Sequence, residues 1–247
     1  MLTFPKAIGS RGVMRLTNLR EEVLEANLEL VRRGLVLSTF GNASGVARDE
    51  GLIVIKPSGV PYEKMKPQHL VVTDMQGKVV EGTLRPSSDL PTHAALYRAF
   101  PAIGGIAHTH SEHATAWAQA RKSIPCFGTT HADYFHGPIP LTEPMSDAEI
   151  NGEYEANTGV AIVRAFEKID PMAVPAVLVA NHGPFAWGPD PRKAAENAWM
   201  LESAARIAYL TVVINSRANS IGQVLHDRHF LRKHGKNAYY GQARAKE

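Results

Sequence analysis

From residue 19 to 35 the apolar positions Leu19, Val23, Ala26, Leu30 and Val31 recur on one face at helical spacing, with Asn18 and Glu21 as a capping pair and Arg32, Arg33 and Gly34 closing the run. The pattern predicts a first helix. Short β-like runs follow at residues 51–56, 70–74 and 78–81, the last two joined through Met75, Gln76 and Gly77 as an antiparallel hairpin. Asp89 and Pro91 open a helix to about residue 100, since a proline in the first turn gives up an N–H that has no intrahelical partner. Residues 103–110 read as a strand, and Ser111 as the cap of a helix over 112–120. Further helices are expected over 147–168, with Ser146 or Asp147 as cap, over 191–215 after Asp190-Pro191, and over 220–234. Residues 174–180 are apolar and valine-rich and stop at Asn181-His182-Gly183-Pro184, which reads as a buried strand. Together these elements predict a three-layer α/β/α arrangement with a mostly antiparallel central sheet.

Composition narrows the class. At 247 residues, 44% apolar and 21% charged, with proline and glycine spread evenly, the chain reads as a single domain over 1–247. Residues 1–14 read as an N-terminal extension. One cysteine, Cys126, excludes an intrachain disulfide. No run approaches the ~20 apolar residues of a membrane span, and residues 1–14 lack the apolar centre of a secretory signal, so a cytoplasmic enzyme is expected, with no membrane partner. The net charge of +3 is interleaved with acidic residues everywhere except in the basic tail over 228–246. Such a surface suits a small anionic substrate, and nucleic acid is not expected as a partner. The opposing reading is a non-enzymatic binding module, with the tail on nucleic acid and the histidines in the core.

Eleven histidines, several in clusters, change the picture. His108 and His110 are two apart at a strand end, so both rings can share a face and meet one ion; the alternative is two rings that satisfy each other or the backbone. His182 ends a second apolar strand and would complete an open three-imidazole site. Asp89 is a candidate ligand, with a helix N-cap as the competing role. Three short loops, Gly41-Asn42-Ala43-Ser44-Gly45, Lys56-Pro57-Ser58-Gly59 and Pro86-Ser87-Ser88, bring small side chains and Lys56 to strand and helix ends, where an oxyanion can be received. Asp133 and Tyr240 are candidate acid/base groups, each also readable as an ordinary turn or tail residue. His93 and His113 receive no role.

These motifs, with Thr130-His131-Ala132-Asp133-Tyr134 and Asn181-His182-Gly183-Pro184-Phe185, resemble the class II aldolase and epimerase family from about residue 19 to 242. Residues 147–154 and 232–242 resemble its epimerases rather than its aldolases. The resemblance implies that Asp89, His108, His110 and His182 hold one divalent ion, zinc before manganese, cobalt or nickel. It also implies that Gly41, Asn42, Ser58, Gly59, Ser87 and Ser88 bind the substrate phosphate beside Lys56. Asp133 and Tyr240 would be the acid/base pair, supported by His229, in a homotetramer where Tyr240 and His229 reach a neighbour's site. Aldolases of this family carry glutamate at the position of Asp89.

The implied reaction converts L-ribulose 5-phosphate to D-xylulose 5-phosphate. The C4 hydrogen of a 2-ketopentose is not adjacent to the carbonyl, so deprotonation there has no electron sink. Deprotonating the 4-hydroxyl instead lets the C3–C4 bond break, and a divalent ion would supply Lewis acidity for the charge released. Inversion then requires the aldehyde to turn and be attacked on its other face, hence two acid/base groups. A rival within the family is a sugar-phosphate aldolase, such as one cleaving L-fuculose 1-phosphate.

Overall fold

In a computed structural model describing residues 14–236 and 238–240, the chain runs α1 (Thr17–Arg32), β1 (Asn42–Ala47), β2 (Leu52–Ile55), β3 (Val71–Asp74), β4 (Val79–Glu81), α2 (Leu90–Ala99), β5 (Gly105–His108), α3 (Glu112–Gln119), α4 (Thr129–Ala132), α5 (Asp147–Asn151), α6 (Tyr154–Ala165), β6 (Ala176–Leu178), β7 (Pro184–Gly188), α7 (Pro191–Ile214) and α8 (Gln223–His234). Seven strands form one sheet in the order β4-β3-β2-β1-β5-β7-β6, and every strand pair in it is antiparallel. Residues 1–13, the tail beyond 240 and the family-like Gly241 and Gln242 lie outside the described residues.

Neighbouring residues on β1 show that both faces of the sheet are covered. Ser44 turns its hydroxyl to His93 and Tyr97 on α2, whereas a Cβ on Gly45 would lie 2.7 Å from Leu19 of α1 and 2.8 Å from Pro191 of α7. On the α2 side, α6 adds Phe166, which packs with Phe100 against Trp187 of β7. The sheet is therefore the middle of three layers, as the helix and strand pattern implied.

Several elements depart from the sequence reading. β1 was expected as a loop, because Asn, Ser and Gly are poor strand formers. It forms because two helices need to approach a side-chain-free strand at Gly45. β7 begins inside the expected turn, with Pro184 at a strand start where its missing N–H is tolerated. The helix expected over 147–168 is two helices: Ser146 and Glu149 form a reciprocal capping box on α5, and the chain breaks at Gly152 before α6 begins. The pair Asn18 and Glu21 does not cap α1, which starts at Thr17 with Leu16 in the left-handed region at φ 55°. Ser111 occupies the N-cap position of α3 without a capping bond. Glu202 of α7 instead accepts from the N–H groups of His113 and Ala114. Among the described residues, no helix is long and apolar enough to cross a membrane.

Candidate metal centre and active site

The ends of two neighbouring strands fix the imidazoles. His108 closes β5; its Nδ1–H donates to the carbonyl of Pro184, first residue of β7, at 2.9 Å, and its ring stacks on Phe185 with 4.1 Å between centroids. Nε2 is thereby left for coordination. His182 arrives on the tight connection between β6 and β7, where Asn181 takes φ 60° and the N–H of Val179 donates to Gly183 at 2.9 Å. The ring centroids of His108, His110 and His182 are 4.9 to 5.1 Å apart, and their ligand nitrogens all lie within 4.8 Å of one another. Nitrogens sharing a zinc ion at about 2.0–2.1 Å stand about 3.4 Å apart, so the rings need to close by little more than an ångström. Burial lowers the pKa of all three, that of His182 to about 4 with help from His108 and His110, so the rings are neutral at pH 7 and in the ligand form. The donor set fits a divalent ion.

Asp89 sits at the N-cap position of α2 but does not cap it. Its carboxylate accepts from Asn42 Nδ2 at 2.6 Å and, more weakly, from Ser87 Oγ at 3.5 Å. Burial by itself would raise its pKa; its interactions with His108, His93 and Asn42 outweigh that and lower it. The three-nitrogen group does not include it, and it stands on the wall of the same cavity.

That cavity, of about 440 Å³, is lined by Gly41, Asn42, Lys56, Ser58, Gly59, Ser87, Ser88, Asp89, His108, His110 and His182. The two serine loops are stitched together: Ser58 N–H donates to the Arg85 carbonyl and Ser87 N–H to that of Lys56, both at 2.9 Å. Those two amides are spent, which leaves the serine hydroxyls and Lys56 among the donors on offer to an oxyanion. Lys56 is 2% exposed, with Nζ donating to the Pro57 carbonyl at 3.2 Å and lying 4.8 Å above the Tyr62 ring. Burial pushes its pKa down, opposed by the field of Asp89. At Gly41, φ is 100° and a Cβ would come within 3.0 Å of the His108 carbonyl oxygen, so the loop passes over β5 only as glycine.

Four lining residues had no role in the sequence reading: Thr39, Phe40, Tyr154 and Glu155. The Tyr154 hydroxyl is 3.5 Å from His182 Nδ1. Tyr154 belongs to the stretch that resembles epimerases, which is the signal that was there to be used.

Asp133, His229 and Tyr240 do not line the cavity. They form a second cluster within the same chain, where α4 meets α8. Asp133 Oδ1 accepts from His229 Nδ1 and Arg232 Nε, both at 3.0 Å, and Oδ2 from a second Arg232 nitrogen at 2.8 Å. Burial would raise the Asp133 pKa, but the Arg232 and His229 bonds hold it below the usual carboxylate range. The Tyr240 ring stacks beneath the Arg232 guanidinium at 4.4 Å. β7 separates the two clusters. Its Pro184 end holds His108, while its Gly188 end packs on Lys193, whose Nζ is 5.2 Å from the ring of Tyr134 beside Asp133. Four strand steps span about 13 Å. Asp133 thus goes with Tyr240 and His229 and not with the imidazoles.

Three imidazoles able to hold one ion, on the wall of a polar cavity in a three-layer fold with this strand order, point to a class. Residues 21–209 match the family described as Class II Aldolase and Adducin N-terminal domain, and the chain belongs to that family. Its relatives include the L-ribulose-5-phosphate 4-epimerase UlaF of Salmonella paratyphi B, 53% identical over 227 residues that make up 92% of this chain and 100% of the relative. Among solved structures, an L-fuculose 1-phosphate aldolase aligns with a TM-score of 0.73 at 26% identity, over 86% of this chain and 94% of that one. YgbL of Klebsiella pneumoniae, described as an aldolase/epimerase/decarboxylase, aligns at 0.68 and 27% identity, over 87% and 99%.

Proposed function

We propose that the chain is an L-ribulose-5-phosphate 4-epimerase, an isomerase that interconverts L-ribulose 5-phosphate and D-xylulose 5-phosphate by breaking and remaking the C3–C4 bond. The 53% identity to an epimerase that it covers end to end carries this reading, and the three-imidazole cavity supports it. His108, His110 and His182, with Asp89, hold one divalent ion, zinc before manganese, cobalt or nickel. When bound, the ion supplies Lewis acidity for the negative charge released as the bond breaks. Lys56 and the hydroxyls of Ser58, Ser87 and Ser88, with Gly41, Asn42 and Gly59, retain the phosphate while the freed aldehyde turns over. Asp133 and Tyr240, with His229 in support, move the hydroxyl proton on either face.

Because those three residues lie together and away from the cavity, a second copy has to bring them to it. The assembly proposed is a homotetramer in which each subunit presents the α4–α8 cluster to a neighbour's imidazoles. The chain works as a single domain over 1–247 with an N-terminal extension, in the cytoplasm, in sugar breakdown that yields L-ribulose 5-phosphate from arabinose or ascorbate.

A coupled assay tests the reaction. Purified chain given a divalent ion is expected to form D-xylulose 5-phosphate without accumulating glycolaldehyde phosphate. Sustained release of free aldehyde, with no interconversion, would assign the chain to the aldolases instead.

A further inference from the structure

His108 and His182 differ in what holds their rings. The Pro184 carbonyl fixes Nδ1 of His108, and Phe185 lies beneath the ring. His182 rides a tight connection instead, and among the described residues the hydrogen bond to its ring involves one side chain, the Tyr154 hydroxyl, 3.5 Å from Nδ1. Tyr154 is half-buried on the cavity wall, with 6.1 Å between its ring centroid and that of His182. The reaction above gives it no part. At 3.5 Å the bond is long; hydrogen bonds around a reaction centre commonly tighten once the ligand is bound.

The turn that carries Tyr154 is tied down on two sides. Asn157 donates Nδ2–H to the Glu149 carbonyl of α5 at 2.8 Å, across the break at Gly152. Thr92, in the first turn of α2 after Asp89, donates its hydroxyl to the Glu155 carbonyl at 2.6 Å. One turn on, a Cβ at Gly159 would lie 2.6 Å from that of Ala95, so α6 reaches α2 this closely only as glycine. The turns that start from Asp89 and Tyr154 are thereby held together. A neutral imidazole that gives one nitrogen to an ion keeps its proton on the other, and a partner for that proton fixes the ring. With Nδ1 of His182 facing Tyr154, Nε2 is the nitrogen left to join His108 and His110, the arrangement that Pro184 imposes on His108. We infer that Tyr154 is a positioning residue: its hydroxyl oxygen accepts from His182 Nδ1–H and so turns Nε2 of that ring to the divalent ion. This rests on the metal centre proposed above.

Affinity for Zn2+ and Co2+, measured by chelator competition, and the visible and paramagnetically shifted proton spectra of the Co2+-loaded chain test it without reference to turnover. Tyr154→Phe keeps the ring and removes the acceptor. It is expected to weaken binding of both ions about tenfold and to shift the Co2+ bands. The ring N–H signal of His182 should move or vanish, while that of His108, bonded to Pro184, stays in place. Unchanged affinity and spectra in Tyr154→Phe overturn the assignment. So does weakening in Tyr154→Leu alone, which would mean that the ring acts by packing, and so does an equal shift of both N–H signals, which would mean a general disturbance. An unsubstituted chain that binds neither ion overturns the metal centre itself, whereas normal binding in that chain and in both variants overturns the role of Tyr154 alone.

Discussion

The imidazole cavity and the Asp133 cluster are held in different ways. His108 is set by backbone: its own strand, a carbonyl of the next strand and an aromatic ring beneath it. Asp133 is set by charge: Arg232, His229 and Lys233 gather on it from α8, at side chains 14 to 22% exposed. The three imidazoles, fixed by hydrogen-bonded strands, come together within one chain. A carboxylate held by side chains near the surface can be presented to another molecule. On the proposed reading, the ion sits on the rigid half and the proton transfer on the half that a second copy brings.

Replacing a residue of the rigid half should have the largest effect. His108→Asn is expected to abolish stoichiometric metal binding and to cut turnover on the order of a thousandfold; metal analysis and the coupled assay on the same sample check it. Tyr240→Phe is expected to leave metal content unchanged and lower turnover on the order of a hundredfold. Full epimerase turnover in that variant would remove Tyr240 from the chemistry.

Mixed assemblies sharpen the comparison further. If one subunit supplies the imidazoles and its neighbour supplies Asp133 and Tyr240, co-assembled His108→Asn and Tyr240→Phe chains regain about one working site in four. Asp133→Asn mixed with Tyr240→Phe should regain none, because every site then takes both acid/base groups from one defective chain. Recovery in the second mixture, measured on verified hetero-tetramers, would separate Asp133 from Tyr240.

The smallest effect concerns stability. His131, beside the Asp133 cluster, is 6% exposed and donates Nε2–H to Gly137 at 2.7 Å. Burial lowers its pKa to about 4, against the opposing bond to Gly137. The unfolded imidazole takes a proton near pH 6.5 that the folded one refuses until about pH 4, so stability present above pH 6.5 is lost as pH falls through that window. The loss is about 2–3 kcal/mol from this residue. Urea unfolding of the unsubstituted chain and of His131→Gln at pH 7 and pH 4.5 should differ by that amount, and identical pH slopes would show that His131 is not the source.

The parts legible in the sequence are those with a local cause. His108 and His110 alternate on a strand, the 75–77 turn joins two β-like runs, and Asp190-Pro191 starts α7 with Asp190 accepting from the Lys193 N–H at 2.7 Å. β1 and β7 were not legible, since their residues are chosen by what packs on them: Gly45 by two helices, and Phe185 by an imidazole. The split between α5 and α6 could be seen only in Gly152. At the site, most cavity residues were found through short motifs, yet Tyr154 received no role, because no spacing shows that its hydroxyl comes to His182. Nor did the chain's order suggest that Asp133, about a hundred residues before Arg232 in sequence, would be gripped by it.

A crystal structure of the metal-loaded protein with a substrate analogue, recorded at the metal's absorption edge, bears most directly on the division between a metal half and a delivered half. The expected result is one anomalous peak among His108, His110 and His182, with Asp133 and Tyr240 of the partner subunit facing it across the cavity. A peak elsewhere, or Asp133 and Tyr240 turned to solvent in the assembled protein, would contradict it.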